Sequence, residues 1–575
     1  MRVITVYAAA AFVILELLSI IIEPLRLPDW TLQFGIVFLC IGFVIAIILS
    51  WIFDIHPEGG IVKTEPTTDI QAEPVPSSSK SWKIASYISF VVIVGLILFH
   101  ILSSSNRSRE IANLETSIAV LPFDNMSVDE EYSHMGDAIT DEIILELQKI
   151  KEFDRVLSRT STMQYKENRP TIPEIAEKLG VNYIIEGSIQ RHKEDVSIRV
   201  QLIRAKHEDH VWGDEYDGKW EDIFSIQDEI ALEVANELKT ALSPEEIRKI
   251  EKNPTENLKA YNLYLKGRYF WNKRTAEGFQ KGIEYFELAI ETDLTYALAY
   301  AGVADCYSFL GWHDFLPSKE VYPRARAAAE KALEIDEALS EAHTSLAFVK
   351  YLYDWDWLGA EREFMRAIEL NPSYATAHQW YAQYLSSRKR HDEAIAEAKR
   401  AQELDPLSLS IIHSMGLVFY QRRQYDLAIE QFQKILEMDP NYVAAHWYLA
   451  YPYVQKAMYS EAIAELQKAI DLSGKRDPPL VALLGFAYSY SGERDKAKKV
   501  IEELLKLSKQ RYVAPCYIVF IYMGLGQKDQ AFEWLEKAYE ERDDWFIGLK
   551  ASPMFDGLRS DPRFQDLLDR VNFPD

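Results

Sequence analysis

Cysteine is scarce: the 575 residues hold three, and two of them, Cys306 and Cys516, lie 210 positions apart. No disulfide framework or cysteine-rich metal site follows from that spacing. Positive charge is also in short supply, with 63 Lys and Arg against 88 Asp and Glu, a net charge of −25 and a pI near 5.0. This argues against a nucleic-acid partner, whose phosphates attract lysine and arginine. The chain has no P-loop, no GxGxxG, no GxSxG, no HExxH and no paired CxxC, so no enzyme, cofactor or metal site is expected.

Long apolar runs are present at the N-terminus. Val3 to Ile22 and Trp30 to Phe53 read as a transmembrane hairpin over residues 1–53, and 82–102 as a third membrane helix, since about 20 apolar residues match the roughly 30 Å hydrocarbon core. Glu16, inside the first run, is expected to be protonated there. The polar Pro/Ser/Thr/Glu-rich stretch 54–81 reads as a flexible linker. Arg2, Lys63, Lys80 and Lys83 against Arg26, Arg107 and Arg109 place the region after residue 103 outside the cytoplasmic membrane. The expectation is a multi-pass protein of the bacterial inner membrane with a periplasmic C-terminal region.

The clearest periodicity lies further on. Ala367-Ile-Glu-Leu-Asn-Pro372, Ala401-Gln-Glu-Leu-Asp-Pro406 and Ile435-Leu-Glu-Met-Asp-Pro440 end in prolines 34 residues apart. Proline lacks an amide hydrogen and disfavours helix in the residue before it, so each Asn/Asp-Pro pair closes a helix. Small residues at Ala360, Ala367, Ala394, Ala401 and Ala428 let helices approach closely, with Phe364 and Phe432 filling the groove between. The pattern resembles the tetratricopeptide repeat. Extended outward, it implies about eight helical pairs over 258–543, with 544–575 as a capping segment. An insertion near Gly311 to Pro317, carrying Trp312, His313 and Phe315, reads as a binding edge or as packing, with packing favoured.

Between the apolar runs and the repeats, residues 116–243 read as a small α/β domain. Strands are expected at Ser117–Phe123, Val156–Leu157, Val181–Gln190 and Val196–Ala205, and helices at 135–150, 172–179 and 223–238. Gly180 is expected to end the second helix in the left-handed conformation. Ser117-Ile-Ala-Val-Leu-Pro-Phe123, Gly136-Asp137 with Thr140-Asp-Glu142, Arg159-Thr-Ser161, Leu179-Gly-Val181 with Glu186-Gly-Ser188, Gln201-Leu202, Trp212 and Ile226-Gln-Asp-Glu-Ile230 together resemble a TolB-like (FlgO-like) domain. Trp51, Phe53-Asp54 and Pro57-Glu-Gly59 are similar to the membrane segment that often precedes it. The resemblance implies a bacterial membrane protein whose TolB-like domain is followed by tetratricopeptide repeats. Asp137, Asp141 and Glu142 crowd one helix start, where they complement the helix dipole, and Glu186, Trp212 and Asp228 complete no catalytic set.

Four histidines, His343, His378, His413 and His446, recur at spacings of 35, 35 and 33. Packed helices stand about 8–10 Å apart, whereas zinc needs nitrogens within about 2.1 Å, so no shared metal site is expected. Carrying the register across the first helix of each pair, the inner groove should present Gln379 and Gln383, then His413 and Tyr420. Trp447, Tyr451 and Gln455 follow, and Phe486 and Tyr490 end the series. Aromatic and amide groups suit an extended peptide or an apolar helix. The fold class expected is thus multidomain: transmembrane helices, a small α/β domain, then an all-α solenoid of tetratricopeptide helix pairs. The function expected is a membrane-anchored extracytoplasmic scaffold for protein partners. A sensory subunit, an envelope-assembly or secretion adaptor and a repeat-fused hydrolase or transferase are the alternatives.

Overall fold

The computed structural model describes residues 115–574, the segments 53–55 and 61–63, and the isolated positions 11, 39 and 43. The chain divides into two compact units, Met1–Leu114 and Glu115–Asp575. In the first, strands β1 (Phe53–Ile55) and β2 (Ile61–Lys63) pair antiparallel, inside and at the edge of the stretch read as a linker. The expected N-terminal transmembrane helices are not supported, because among the described residues no helix is long and apolar enough to cross a membrane. The three apolar runs and Glu16 otherwise lie outside the described residues. The fold class is therefore corrected to a helical solenoid joined to a small mixed-sheet domain.

The second unit opens with that sheet. Strands β3 (Ser117–Val120), β4 (Asp124–Asn125), β5 (Arg155–Val156), β6 (Tyr183–His192), β7 (Asp195–Arg204) and β8 (Asp209–Lys219) run in the order β5-β3-β6-β7-β8, with β4 also on β6. β3 pairs parallel with β5 and β6, β4 pairs parallel with β6, and β6–β7 and β7–β8 are antiparallel. Alternation sorts the side chains to two faces. Ile118 and Val120 join helices α1 (Met135–Gln148) and α3 (Ile223–Glu237), while Ala119 and Leu121 meet α2 (Ile172–Leu179). Gly180 ends α2 at φ 68°, the left-handed position that glycine takes at little cost. Strand β8 escapes sequence reading because Asp-His-Val-Trp-Gly-Asp-Glu-Tyr-Asp-Gly-Lys is an exposed edge without apolar alternation.

Eight antiparallel helix pairs follow. They run from Leu258–Trp271 with Ala276–Thr292 (pair 1) to Pro515–Gly524 with Lys528–Glu541 (pair 8). Pairs 4, 5 and 6 begin at Ala375, Leu409 and Val443. The second helices of pairs 3, 4 and 5 stop at Leu370, Leu404 and Met438, one residue before each Asn/Asp-Pro. Ala360, Ala367, Ala394, Ala401 and Ala428 are fully buried, as are Phe364 and Phe432. A Cβ built on Gly416 would stand 2.4 Å from the Phe432 ring, so only glycine allows that approach.

The last segment does more than cover pair 8. Its helix Pro562–Val571 meets that pair through Arg563–Asp529 at 3.0 Å and Arg570–Glu536 at 2.9 Å. The segment also reaches back along the array. Trp545 packs on Tyr451 and Phe520, Asp556 takes two hydrogen bonds from Arg423 at 2.8 and 2.9 Å, and Phe573 stacks on Trp357 at 4.3 Å. Phe546, Leu549, Phe555 and Leu567 are fully buried, which supplies the driving force.

Candidate functional site: a chamber between the sheet domain and the repeats

The α/β domain is held on the repeats through turn backbone. Ser158 N–H donates to Leu404 O at 2.9 Å, Leu407 N–H donates to Ser161 Oγ at 2.8 Å, and Gln164 Nε2 donates to Leu407 O at 3.2 Å. Ser161 Oγ in turn donates to the buried Asp405 carboxylate. Lys151 Nζ reaches Glu369 O at 2.7 Å. The carbonyls and amides at helix-pair ends, which lack helical partners, are thereby satisfied by the neighbouring domain.

Between these joints lies a partly open chamber of about 630 Å³. Its α/β wall includes Asp141, Gln148 and Ser158 to Thr160, and its repeat wall includes Trp271, Arg274, Phe309, Trp380, Trp447 and Tyr448. Phe309 bridges Trp380 (5.6 Å between centroids) and Trp271 (6.1 Å), and Trp447 stacks on Tyr448 at 4.8 Å. Four of the expected groove residues, Gln379, Gln383, His413 and Trp447, line this chamber. Gln379 Nε2 donates to Ser410 Oγ at 2.8 Å and to Ser414 Oγ at 2.9 Å, and Gln383 Nε2 donates to Ser414 Oγ at 2.8 Å. Gln383 Oε1 and His413 Nε2 have no hydrogen-bond partner, although both residues are more than nine-tenths buried.

The other five lie off the chamber. Tyr420 and Tyr451 pack on each other at 5.7 Å, Gln455 Nε2 donates to Tyr420 Oη at 3.5 Å, and Phe486 meets Tyr490 edge-on at 4.9 Å. Tyr451 packs on Trp545 of the C-terminal segment. Sequence reading missed Arg274, Trp271 and Phe309, and took Trp312 and His313, which also line the chamber, for packing. The clustering of aromatics in pairs 1 and 2 was the available signal.

Burial sets the electrostatics. The His413 imidazole is pushed down to about 3 by burial and then by His313. His313 falls to about 4 through burial and Arg274, so both rings are neutral at pH 7. Burial raises Asp405 to about 7 against the hydrogen bonds from Ser161. Asp141 is engaged by Arg159 at 3.2 Å, Asn272 at 3.1 Å and Arg268 at 3.9 Å. Glu142 is raised to about 8 by burial and by Glu146, which leaves it without a charge at neutral pH.

The histidine series has a structural use. His343, His378 and His446 place Nδ1 at 2.6, 2.6 and 2.5 Å from Glu363, Glu397 and Glu465 on the second helix of their pair. Their Nε2 atoms meet the carbonyls of Glu337, Pro372 and Pro440 at 2.9, 3.1 and 3.1 Å. Each ring thus ties a helix pair to the preceding turn. His413 breaks the series: its ring lies 3.7 Å from that of Tyr448 instead.

Tetratricopeptide-repeat family models match residues 351–408, 413–478, 479–511 and 518–544. These helix pairs are tetratricopeptide repeats. Residues 114–233, where a TolB-like domain is expected, match the model described as the HilA/YgeH-like transcriptional regulator, second domain. A curated relative, putative adenylate cyclase 3 of Rhizobium meliloti (strain 1021), is 30% identical over 260 residues, 43% of each chain. The chain thus spans less than half the length of that relative. Among solved structures, PilF of Pseudomonas aeruginosa is 22% identical, covering 40% of this chain and 97% of its own at a TM-score of 0.28. The type IV pilus biogenesis factor PilW is 19% identical, covering 36% and 94% at 0.29.

Proposed function

We propose that the chain is a non-enzymatic scaffold whose tetratricopeptide array recruits a protein partner at the chamber. The supporting observation is the convergence of Gln379, Gln383, His413 and Trp447 on one chamber wall, with amide, imidazole and indole groups presented beside the α/β domain. Such a wall suits a short segment carrying both apolar and hydrogen-bonding groups. Catalysis gains no support from the candidate groups. Burial raises the thiols of Cys306 and Cys516 far above the nucleophilic range, and Asp137 and Asp141 are neutralised by Lys166 and Arg159.

The test is photo-crosslinking in cells from positions 447 and 379, with exposed position 331 as control. The same partner captured from both chamber positions and not from 331 is the expected result. No partner, or equal capture from 331, overturns the reading. An extracytoplasmic location in the bacterial envelope belongs to the same proposal. Protease accessibility in intact against lysed spheroplasts reads it, and protection in intact spheroplasts counts against it.

A second reading, a sensory subunit acting on a separate effector, is favoured by the position of the chamber. Its walls come from two folded parts of the chain, so an occupant contacts both. It draws further support from the match of residues 114–233 to a regulator domain.

A further inference from the structure

Arg274 is the anomaly of the chamber. It sits in the turn of pair 1, with its guanidinium 3.6 Å from the Trp271 ring centroid and 4.7 Å from that of Phe309. Among the described residues it forms no ion pair and no side-chain hydrogen bond, and it is exposed although it lines the chamber. Stacking on two rings orients a cation but leaves its five donors unused. The other two chamber arginines are engaged, Arg159 and Arg268 both on Asp141. The Asp405 carboxyl is committed to Ser161. The Arg274 guanidinium is charged at neutral pH.

Three further features converge on the same space. The aromatic clusters Trp271–Phe309–Trp380 and His413–Tyr448–Trp447 offer ring faces. Gln383 and His413 line that space too, and Gln383 Oε1 and His413 Nε2 have no hydrogen-bond partner among the described residues. The volume, about 630 Å³, falls within the range typical of small-molecule pockets.

We propose that the chamber binds a small aromatic acid, its carboxylate held by Arg274 and its ring among the tryptophans. The inference rests on the chamber being a binding site, but not on the scaffold's partner being a protein. The chamber it would occupy is walled by both the α/β domain and the array, which suits the sensory reading. Planar bidentate pairing with carboxylate is the geometry guanidinium favours.

The probe is 6-hydroxy-2-naphthoate, titrated into the full-length protein by calorimetry and tryptophan fluorescence. Its neutral analogue 6-hydroxy-2-naphthamide is run alongside. Saturable one-site binding of the acid is expected, with the amide roughly tenfold weaker or worse, the scale of a lost charge-assisted hydrogen bond. Arg274→Gln should weaken the acid by a similar factor and leave the amide unchanged, while Lys331→Gln changes neither. The equivalent turn positions Lys389, Arg423 and Ala457 share the left-handed backbone of Arg274, so the fold tolerates varied side chains there. Absence of saturable binding overturns the proposal. So does equal binding of acid and amide by the natural chain, a comparison that needs no variant, or wild-type affinity in Arg274→Gln. Binding of a capped Glu-Trp dipeptide without binding of the free acid also overturns it and leaves the scaffold reading standing. Crosslinking from position 447 that persists when the acid fails to bind separates the two conclusions in the same way.

Discussion

Asp405 joins the repeat array to the α/β domain, and replacing it by asparagine gives a pH-dependent result that can be worked out beforehand. The carboxyl is 4% exposed, accepts from Ser161 Oγ, and ionises at about 7 because burial outweighs those hydrogen bonds. In the unfolded chain it ionises near 3.8. Between those values the folded protein keeps a proton that the unfolded chain has released, so stability falls as pH rises and levels off above about 7. The separation of the two values corresponds to about 4 kcal/mol lost on the alkaline side. Asp405→Asn removes the titration while retaining an acceptor for Ser161. Its stability relative to the natural chain should therefore improve by about 2 kcal/mol between pH 5 and pH 7. Any loss of a hydrogen bond to the second carboxylate oxygen shifts the whole curve without changing its slope. Urea unfolding followed by tryptophan fluorescence at half-unit pH intervals measures the difference, and the buried Asp314 and Asp543 titrate in both chains and cancel. A variant-minus-natural difference that stays flat from pH 5 to pH 8 refutes the reasoning, since Asp405 is then ionised inside the fold.

Three other outcomes are expected. Gly416→Ala places a Cβ 2.4 Å from the fully buried Phe432 ring, and overpacking of this kind should cost about 1–3 kcal/mol, less the better helix propensity of alanine, as a lowered thermal midpoint. Glu363 is held near 2, first by the hydrogen bond with His343 and then by Lys350. Its contribution is present above about 4.5 and disappears as pH falls toward 2, so the advantage of the natural chain over Glu363→Gln, roughly 1–2 kcal/mol after solvent screening, should shrink below pH 4.5 in acid unfolding. Trp357→Phe removes the 3.1 Å hydrogen bond to Val571 O and disturbs the stack on Phe573. Amide exchange across 562–574 should accelerate at least severalfold while pairs 4 and 5 keep their protection, and unchanged exchange there counts against the C-terminal segment being anchored at Trp357.

The repeat was legible because its signals are local. Pro372, Pro406 and Pro440 end helices through their own backbone chemistry, and the alanines and phenylalanines that precede them act within one helix pair. The sheet domain was partly legible for the same reason. Ile118 and Val120 alternate with Ala119 and Leu121, and Gly180 marks a helix end, whereas β8 carries polar side chains on an exposed edge and leaves no apolar pattern to read. The groove positions were derived from register, and register fixes which side of a helix faces inward. It does not say what else arrives there. Tyr451 faces inward and meets Trp545, whereas Trp447, four residues earlier on the same helix, lines the chamber.

The sequence by itself determined the acidic balance of the chain, and also the helix-pair period, the closing prolines and the close-packed alanine positions, which are carried by neighbours within about 34 residues. The tertiary structure alone decided that the α/β domain and the C-terminal segment both pack against the array. It also brought Arg274, without an ion-pair partner among the described residues, into a chamber whose other wall includes Asp141. Those outcomes rest on contacts such as Ser161 with Asp405, 244 residues apart, and Trp357 with Val571, 214 apart. No periodicity spans such distances, because surface complementarity between separately folded parts leaves no repeat in the chain that encodes it.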